Sequence, residues 1–307
     1  MTQTIATMAA SFCLLAIVFS PLERLFPARP GQRVFRPAWS VDACFFAGQY
    51  LAFAGITLWL LSGIAHWIDA YSLAAVRAFT HSLPLVLHAA LSLVLGDLLV
   101  YWFHRACHRY APLWRFHAVH HSAEHLDWVA AHREHPFDGI ATQVLLNLPG
   151  LVLGLPFEAM GSLVVIRGFW AVFIHSNVRL PLGPLRYVLG APELHHWHHL
   201  RVSRTAHNFA NLAPYLDLLF GTYHCPEGPA TFPLGLPEPW PERYLAQLVR
   251  PLLPRAAPPP AHGSAATRRG RLPESPRERR GCPGMQAVGN AARSRARTNR
   301  VTAIDGE

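Results

Sequence analysis

Long apolar segments recur along this chain, and they constrain its fold more than any other feature of the sequence. These segments lie at 5–20, 43–65, 83–103 and 140–175. A helix needs roughly 20 apolar residues to cross a bilayer, where it satisfies its own backbone hydrogen bonds. Pro149 and Pro156 interrupt the last segment and predict a bent hairpin there. The sequence therefore predicts an all-α fold, a bundle of several transmembrane helices.

The composition also favours a membrane protein. Hydrophobic residues make up 51% of the chain and charged residues 15%, whereas a soluble domain has roughly 25% charged residues. Several arginines follow the first and third apolar segments, but the loop between the second and third segments contains a single arginine, Arg77. Because basic loops face the cytoplasm, we expect the chain after residue 103, and again after residue 175, to be cytoplasmic. The first segment lacks a cleavage pattern, so we expect it to remain as an anchor.

Positive charge is concentrated near the C-terminus. Residues 255–307 contain eleven arginines and four acidic residues, and they include no aromatic side chain. This composition predicts a disordered, solvated tail and gives no reason to expect nucleic-acid binding. We divide the chain into N-terminal spans (1–94), a catalytic region (95–225), a Pro-rich extension with a short helix (226–254) and the tail (255–307).

The histidines are clustered. Of 19 histidines, eight lie between residues 104 and 135, and six lie between 175 and 207. Residues three or four apart share one face of a helix, so closely spaced rings can converge. Three sets have this spacing: His104 and His108; His117, His120 and His121; and His195, His198 and His199.

Eight imidazoles at ligand spacing exceed the needs of one metal ion. A tetrahedral zinc takes three or four protein ligands, so this number suggests two ions. Imidazole binds zinc, copper, iron and nickel, so the ligand type leaves the metal open. The alternative is that these are ordinary surface or core histidines, but three coincident spacings argue against it. His104 directly follows the apolar segment 83–103, and His175 ends the segment 140–175, so a lipid tail could reach a site built there.

The three sets resemble the histidine boxes of the fatty acid hydroxylase and sterol desaturase superfamily. The pattern HxxxH, HxxHH and a later HxxHH spans about 95–225, with Tyr101 before the first box and Asp217-Leu-Leu-Phe-Gly-Thr near the end. The resemblance implies that the boxed histidines hold two iron ions. It adds His175 and His135 to the ligands.

Two acidic residues are candidates for supporting the ligands. Asp97 lies in an apolar segment, where an ionisable side chain is costly and usually functional. We expect it to accept a hydrogen bond from a ligand imidazole, with a helix-packing bond as the alternative. Asp217 has the same expected role, with helix capping as the alternative.

The resemblance implies an O2-dependent di-iron enzyme that hydroxylates or desaturates a C–H bond of a lipid such as a sterol, fatty acyl or sphingoid chain. We expect it in a bacterial inner membrane, with a helical cap carrying the site on the cytoplasmic side. The sequence has no dinucleotide-binding fingerprint, so electrons would come from an external reductase through a ferredoxin, rubredoxin or cytochrome b5.

Two other classes of protein also place several imidazoles together. A membrane dinuclear zinc hydrolase is one alternative, but the boxes contain neither HExxH nor a bridging carboxylate. A bis-histidine haem protein that carries electrons is the other.

Overall fold

Helices form nearly all of the regular structure in the computed structural model, which describes residues 2–71, 73–226 and 231–254. Within these ranges no β-strand occurs, so the predicted all-α class is confirmed. The helices are α1 (Thr2–Leu25), α2 (Trp39–Gly48), α3 (Ala54–Ala70), α4 (Ala74–His81), α5 (Leu85–Arg109), α6 (Ala111–His121), α7 (Pro136–Leu153), α8 (Phe157–His175), α9 (Pro192–His198), α10 (Tyr215–Leu219) and α11 (Tyr244–Val249). All of them belong to a compact unit of residues 1–224 and 229–253. The Arg-rich tail lies outside the described residues.

Four helices are long and apolar enough to cross a membrane. They are Thr2–Leu25, Trp39–Ala70, Leu85–Arg109 and Phe157–His175. The second is continuous because a π-helical turn, Gln49–Phe53, joins α2 to α3. Large apolar side chains such as Trp59, Val86 and Val165 are exposed on these helices, as lipid contact requires. The protein is an integral membrane protein.

The interrupted apolar segment forms α7 and α8. The chain reverses between them at Gly154, which has φ 74°, and Pro156 precedes α8. Glycine adopts this left-handed conformation without steric cost. Pro149 lies inside α7 without ending it. The reversal packs against α3 through a cluster that includes Ile68 and Leu155, at the end of the bundle opposite the boxed histidines.

Arg167 ties three helices together inside the bundle. Its guanidinium on α8 donates to the carbonyl oxygens of Leu93 on α5 (2.6 Å) and Leu146 on α7 (3.2 Å). It also pairs with Asp97 on α5 at 3.1 Å. Gly96 makes room for it, since a Cβ there would lie 2.7 Å from Arg167 Nη2. The three helices around the histidine end are therefore held by one buried cation.

Candidate metal centre

Nine buried histidines converge at one end of the bundle in two neighbouring groups. The first group comprises His104, His108, His117, His121 and His198, and the second comprises His120, His175, His195 and His199. Within each group, one ring nitrogen of every residue lies within 4.8 Å of the others. The rings of His121 and His199 stack with centroids 4.4 Å apart, so the two groups adjoin.

The helical spacing explains how each box reaches its group. His104 and His108 occupy the last turns of α5 and both join the first group. In α6, His117 and His121 are four residues apart and join the first group, whereas His120 joins the second. The box that begins at α9 divides in the same way. An HxxHH box therefore supplies both groups from one helix face.

Backbone carbonyls fix the protonation of two rings in the second group. His120 Nδ1 lies 3.0 Å from the carbonyl oxygen of Arg133. His175 Nδ1 lies 2.6 Å from that of Ala171. A carbonyl oxygen can only accept a hydrogen bond, so each Nδ1 carries the proton and each Nε2 presents a lone pair.

These lone pairs face one another. The Nε2 atoms of His120 and His175 are 3.1 Å apart, and neither can donate to the other when both rings are neutral. A cation between them removes the repulsion, because nitrogens at 2.0–2.1 Å from one metal lie about 3 Å apart. The Nε2 atoms of His195 and His175 are 2.8 Å apart, and those of His199 and His195 are 3.1 Å apart. The second group thus fits a metal ion.

The first group also contains buried ring nitrogens that a bound cation would satisfy. The Nε2 atoms of His104, His108 and His117 are buried and have no hydrogen-bond partner among the described residues. Unpaired buried polar atoms are rare in folded proteins, and a bound metal would satisfy all three. The Nε2 atoms of His121 and His198 lie 3.1 Å apart.

The rings are in the protonation state that a metal requires. Burial, together with charge on the nearby His117, lowers the pKa of His120 to about 4. Burial likewise holds the pKa values of His195, His198 and His199 well below 6.5. These rings are neutral at pH 7, so no proton competes with a metal ion for them.

Asp138 orients one of the ligand rings. Its Oδ2 accepts a hydrogen bond of 2.7 Å from His117 Nδ1, and both side chains are buried. A carboxylate in this position fixes the ring and makes it a more basic ligand. Cys107 lies close to the same pair, and the three residues could form a separate metal-binding group. Because His117 Nδ1 already donates to the carboxylate, Asp138 supports the first group instead. Sequence reasoning missed Asp138, although an acid in the first turn of an apolar helix was a usable signal.

A loop at Asn208 holds two ligands of the first group. Asn208 has φ 56°, a left-handed conformation that Asn tolerates better than most residues. Its side-chain amide donates to two backbone carbonyl oxygens at 2.9 and 2.7 Å. On either side of it, the carbonyl of His207 accepts from His198 Nδ1 (2.9 Å) and that of Phe209 accepts from His104 Nδ1 (2.7 Å).

Asp217 supports this loop. It accepts from the backbone N–H groups of Phe209 (2.8 Å) and Ala210 (3.0 Å) and from the Thr222 hydroxyl (2.7 Å). Burial raises the pKa of Asp217 to about 6. Its bonds reach the loop backbone, so it acts on His104 through Phe209.

A buried charge network supports the second group from the N-terminal part of the chain. Arg133, whose carbonyl binds His120, donates to Asp42 at 2.5 Å. Arg36 binds both Asp42 and Asp127 at 2.7 Å. Because buried charges need good partners, this network fixes the loop that carries Arg133.

The structure places two predicted site residues away from the histidine groups. His135 Nδ1 accepts from the N–H of Phe137 (3.1 Å), which caps α7, and its Nε2 donates to the carbonyl of Leu248 (3.1 Å). Both of its ring nitrogens are therefore occupied by backbone. Asp97 pairs with Arg167.

A cavity of about 150 Å³ lies beside the histidines. Five ligand rings form one end: His104, His117, His120, His175 and His195. Apolar side chains of α5, α7 and α8, such as Val100, Leu146 and Trp170, form much of the wall. The Glu134 carboxyl also lines it, and burial raises the pKa of Glu134 well above its ordinary value. An apolar molecule entering from the bilayer could present a carbon to the histidine end.

The region that builds this site has relatives of known type. Residues 89–222, which contain all nine grouped histidines, match the family model for fatty acid hydroxylases. This region therefore matches the fatty acid hydroxylase family and is similar to curated lipid hydroxylases and sterol desaturases. The resemblance seen in the boxes is thereby confirmed. The network residues Arg36 and Asp42 lie outside the matched region.

Several curated proteins of this superfamily are similar to the chain. An ornithine lipid hydroxylase of Rhizobium tropici is 32% identical over 55% of this chain and 51% of its own length. An alkylglycerol monooxygenase of Danio rerio is 30% identical over 48% of this chain and 34% of its own. A Delta(7)-sterol-C5(6)-desaturase of Nicotiana tabacum is 30% identical over 47% and 52%. The chain thus spans about half or less of these relatives' lengths. No solved structure gives a significant match.

Proposed function

We propose that this protein is a membrane-bound, O2-dependent di-iron enzyme that hydroxylates or desaturates a C–H bond of a lipid. The observation that carries the proposal is the pair of opposed Nε2 lone pairs of His120 and His175 in the second group, beside a first group with three unpaired Nε2 atoms. Two adjacent all-imidazole sites suit two metal ions. The relatives named above are hydroxylases, monooxygenases or desaturases of lipids.

Iron is the metal we propose for both groups. The boxed histidines and His175 would be its ligands, and two bound irons would supply the activation of O2 that attack on an unactivated C–H bond needs. Imidazole is a suitable ligand for iron, although it does not select iron by itself.

The residues of the chain have separable tasks in this proposal. Asp138 and the carbonyls of Phe209 and Arg133 keep Nδ1 protonated, so that each Nε2 faces the metal. The cavity wall excludes bulk water and holds the substrate carbon at the histidine end. Asp97 and Arg167 keep the surrounding helices in place.

The site would face the cytoplasm of a bacterial cell, at the inner membrane. Arg24 lies in the last turn of α1, and Arg29, Arg33 and Arg36 follow it, at the end of the bundle that carries the histidines. Basic residues favour the cytoplasmic side. Electrons would then arrive from a soluble donor of the ferredoxin, rubredoxin or cytochrome b5 type.

The proposal is tested on protein purified without oxygen. We expect two irons per chain, and after addition of a chemical reductant, isotopically labelled O2 and a membrane lipid extract, we expect a lipid product that gains one labelled oxygen atom or loses two hydrogens. The variant His120→Ala should lose bound iron and all turnover. His66→Ala, which changes an exposed histidine on α3, is the matched control and should keep both.

Two results would contradict the proposal. Zinc at two ions per chain with lipid hydrolysis that needs no O2 would indicate a hydrolase. Full iron content and full activity in His120→Ala would remove the second group from the reaction.

A further inference from the structure

The cavity beside the histidines has an unusual wall on α7. Asp138, Thr142 and Leu146 follow at four-residue intervals, so they share one face of the helix, and all three line the cavity. Gln143 lines it as well, and Glu134 lies just before the helix. Asp138 is bound to His117, which leaves Glu134, Thr142 and Gln143 as three further polar side chains that line the cavity on this side.

None of these three side chains is satisfied by the protein. Glu134, Thr142 and Gln143 make no side-chain hydrogen bond or ion pair with any residue in the described part of the chain. Gly139 makes room for the Glu134 carboxyl, because a Cβ at this position would lie 2.6 Å from Glu134 Oε2. The three residues are only partly buried, and they line the cavity, so their polar groups are open to a ligand that enters it.

Other polar residues in the helices of the bundle do make hydrogen bonds within the protein. The hydroxyls of Thr57 and Thr80 donate to carbonyl oxygens four residues earlier, at 2.9 and 3.2 Å, as threonines in helices often do. Asn147 on α7 donates to the carbonyl of Gln143 at 2.8 Å. Thr142 makes no such bond, so its hydroxyl remains available to the cavity.

We propose that Glu134, Thr142 and Gln143 form a polar subsite that binds a hydroxyl or amide N–H group of the lipid substrate. This inference rests on the proposed function and narrows its substrate class. Carboxyl, hydroxyl and amide oxygens all accept hydrogen bonds, so a substrate group that can donate one fits all three side chains. Across the cavity, Asn211 Oδ1 is a further buried acceptor with no partner among the described residues.

The dimensions place this donor close to the carbon that reacts. Thr142 lies one helical turn from Asp138, the residue bound to His117, and one turn rises about 5.4 Å. A cavity of about 150 Å³ is known to hold a molecule the size of benzene, roughly six heavy atoms. The donor group and the oxidised carbon therefore belong to one short segment of the lipid. The carbon that reacts lies near a polar group of the lipid and far from the methyl end of an unsubstituted acyl chain.

The test compares two probes that share one apolar body. One is the hexadecane diol with neighbouring hydroxyls at the chain end, and the other is its dimethyl ether, which keeps the oxygens but cannot donate. Binding of each to the iron-loaded protein in lipid nanodiscs is measured without reductant, so that no turnover is required. We expect the protein to prefer the diol by about tenfold, the value of one good hydrogen bond.

Variants then test whether Thr142 and Gln143 cause the preference for the diol. In Thr142→Val combined with Gln143→Leu, affinity for the diol should fall to that for the ether, while ether binding and iron content stay unchanged. Thr57→Val, which removes a hydroxyl that faces away from the cavity, should retain the preference. A preference that persists in the double variant, or is absent from the unaltered protein, overturns the proposed subsite.

Turnover separates this inference from the proposed function. If the diol binds selectively through Thr142 and Gln143 but no lipid is oxidised when reductant and O2 are added, the subsite stands and the proposed reaction fails. If lipids are oxidised and both probes bind equally well to protein and double variant, the reaction stands and the subsite fails.

Discussion

The two histidine groups are built on the same boxes but are supported from different parts of the chain. The first group takes its outer hydrogen bonds from the carboxylate of Asp138 and from the loop around Asn208. The second takes them from backbone carbonyls, one of which belongs to Arg133 in the charge network with Asp42. Two sites built from imidazoles alone can therefore differ in metal affinity, because a carboxylate increases the basicity of its imidazole more than a carbonyl does.

The largest expected effect is the removal of a ligand that links the second group. His175 Nε2 contacts the Nε2 atoms of both His120 and His195. His175→Ala should lose one metal ion of two and reduce turnover more than a hundredfold, beyond the effect of an outer partner. Metal analysis and product formation measure this. Retention of two ions would show that the second group binds metal without His175.

The next effect should appear in the first group alone. Asp138→Asn keeps the size of the side chain but removes the charge that faces His117. We expect metal affinity at that group to fall about 10–100-fold, because this is the usual effect of losing an outer partner. Competition with a chelator measures it. Asp69→Asn, at an ion pair with Arg77 that is 60% exposed on the Asp69 side, is the control.

A smaller effect on metal binding should follow a change in the charge network. Asp42→Asn leaves Arg36 and Arg133 without their shared charge, and breaking a buried pair typically costs about 3–5 kcal/mol of stability. Because Arg133 reaches the metal site only through a carbonyl, metal affinity should fall less than in Asp138→Asn and only at the second group. Thermal inactivation and chelator competition measure the two effects. Metal loss from the first group would contradict this division.

The smallest effect is expected at His135. Its ring caps α7 and binds the carbonyl of Leu248, so His135→Ala should keep two metal ions and lose about 1 kcal/mol of stability, the usual value of a helix cap. His135→Asn should recover most of that loss, since Asn also caps helices well. Loss of one ion in His135→Ala would instead support the ligand role that the sequence predicts.

The boxes and apolar segments were readable from sequence because both depend on local spacing. Residues four apart meet on one helix face, so the convergence within α5, α6 and α9 follows from the spacing alone. Long-range partners gave no such signal. Asp42 lies 91 residues from Arg133, and Asp97 meets Arg167 on another helix, so neither pairing could be derived from residue spacing. Asp138 differs from these, because an acidic residue in the first turn of an apolar helix is a signal that the sequence does contain, although the sequence does not identify His117 as its partner.

The left-handed turn at Asn208 couples two ligands that come from distant helices. The carbonyls of His207 and Phe209 bind His198 on α9 and His104 on α5, so three consecutive residues determine how far apart those rings sit. Any displacement of the turn moves both rings together, which preserves the distance between them while the surrounding helices fluctuate. His104 and His198 would therefore meet a bound metal as a pair with a nearly fixed spacing.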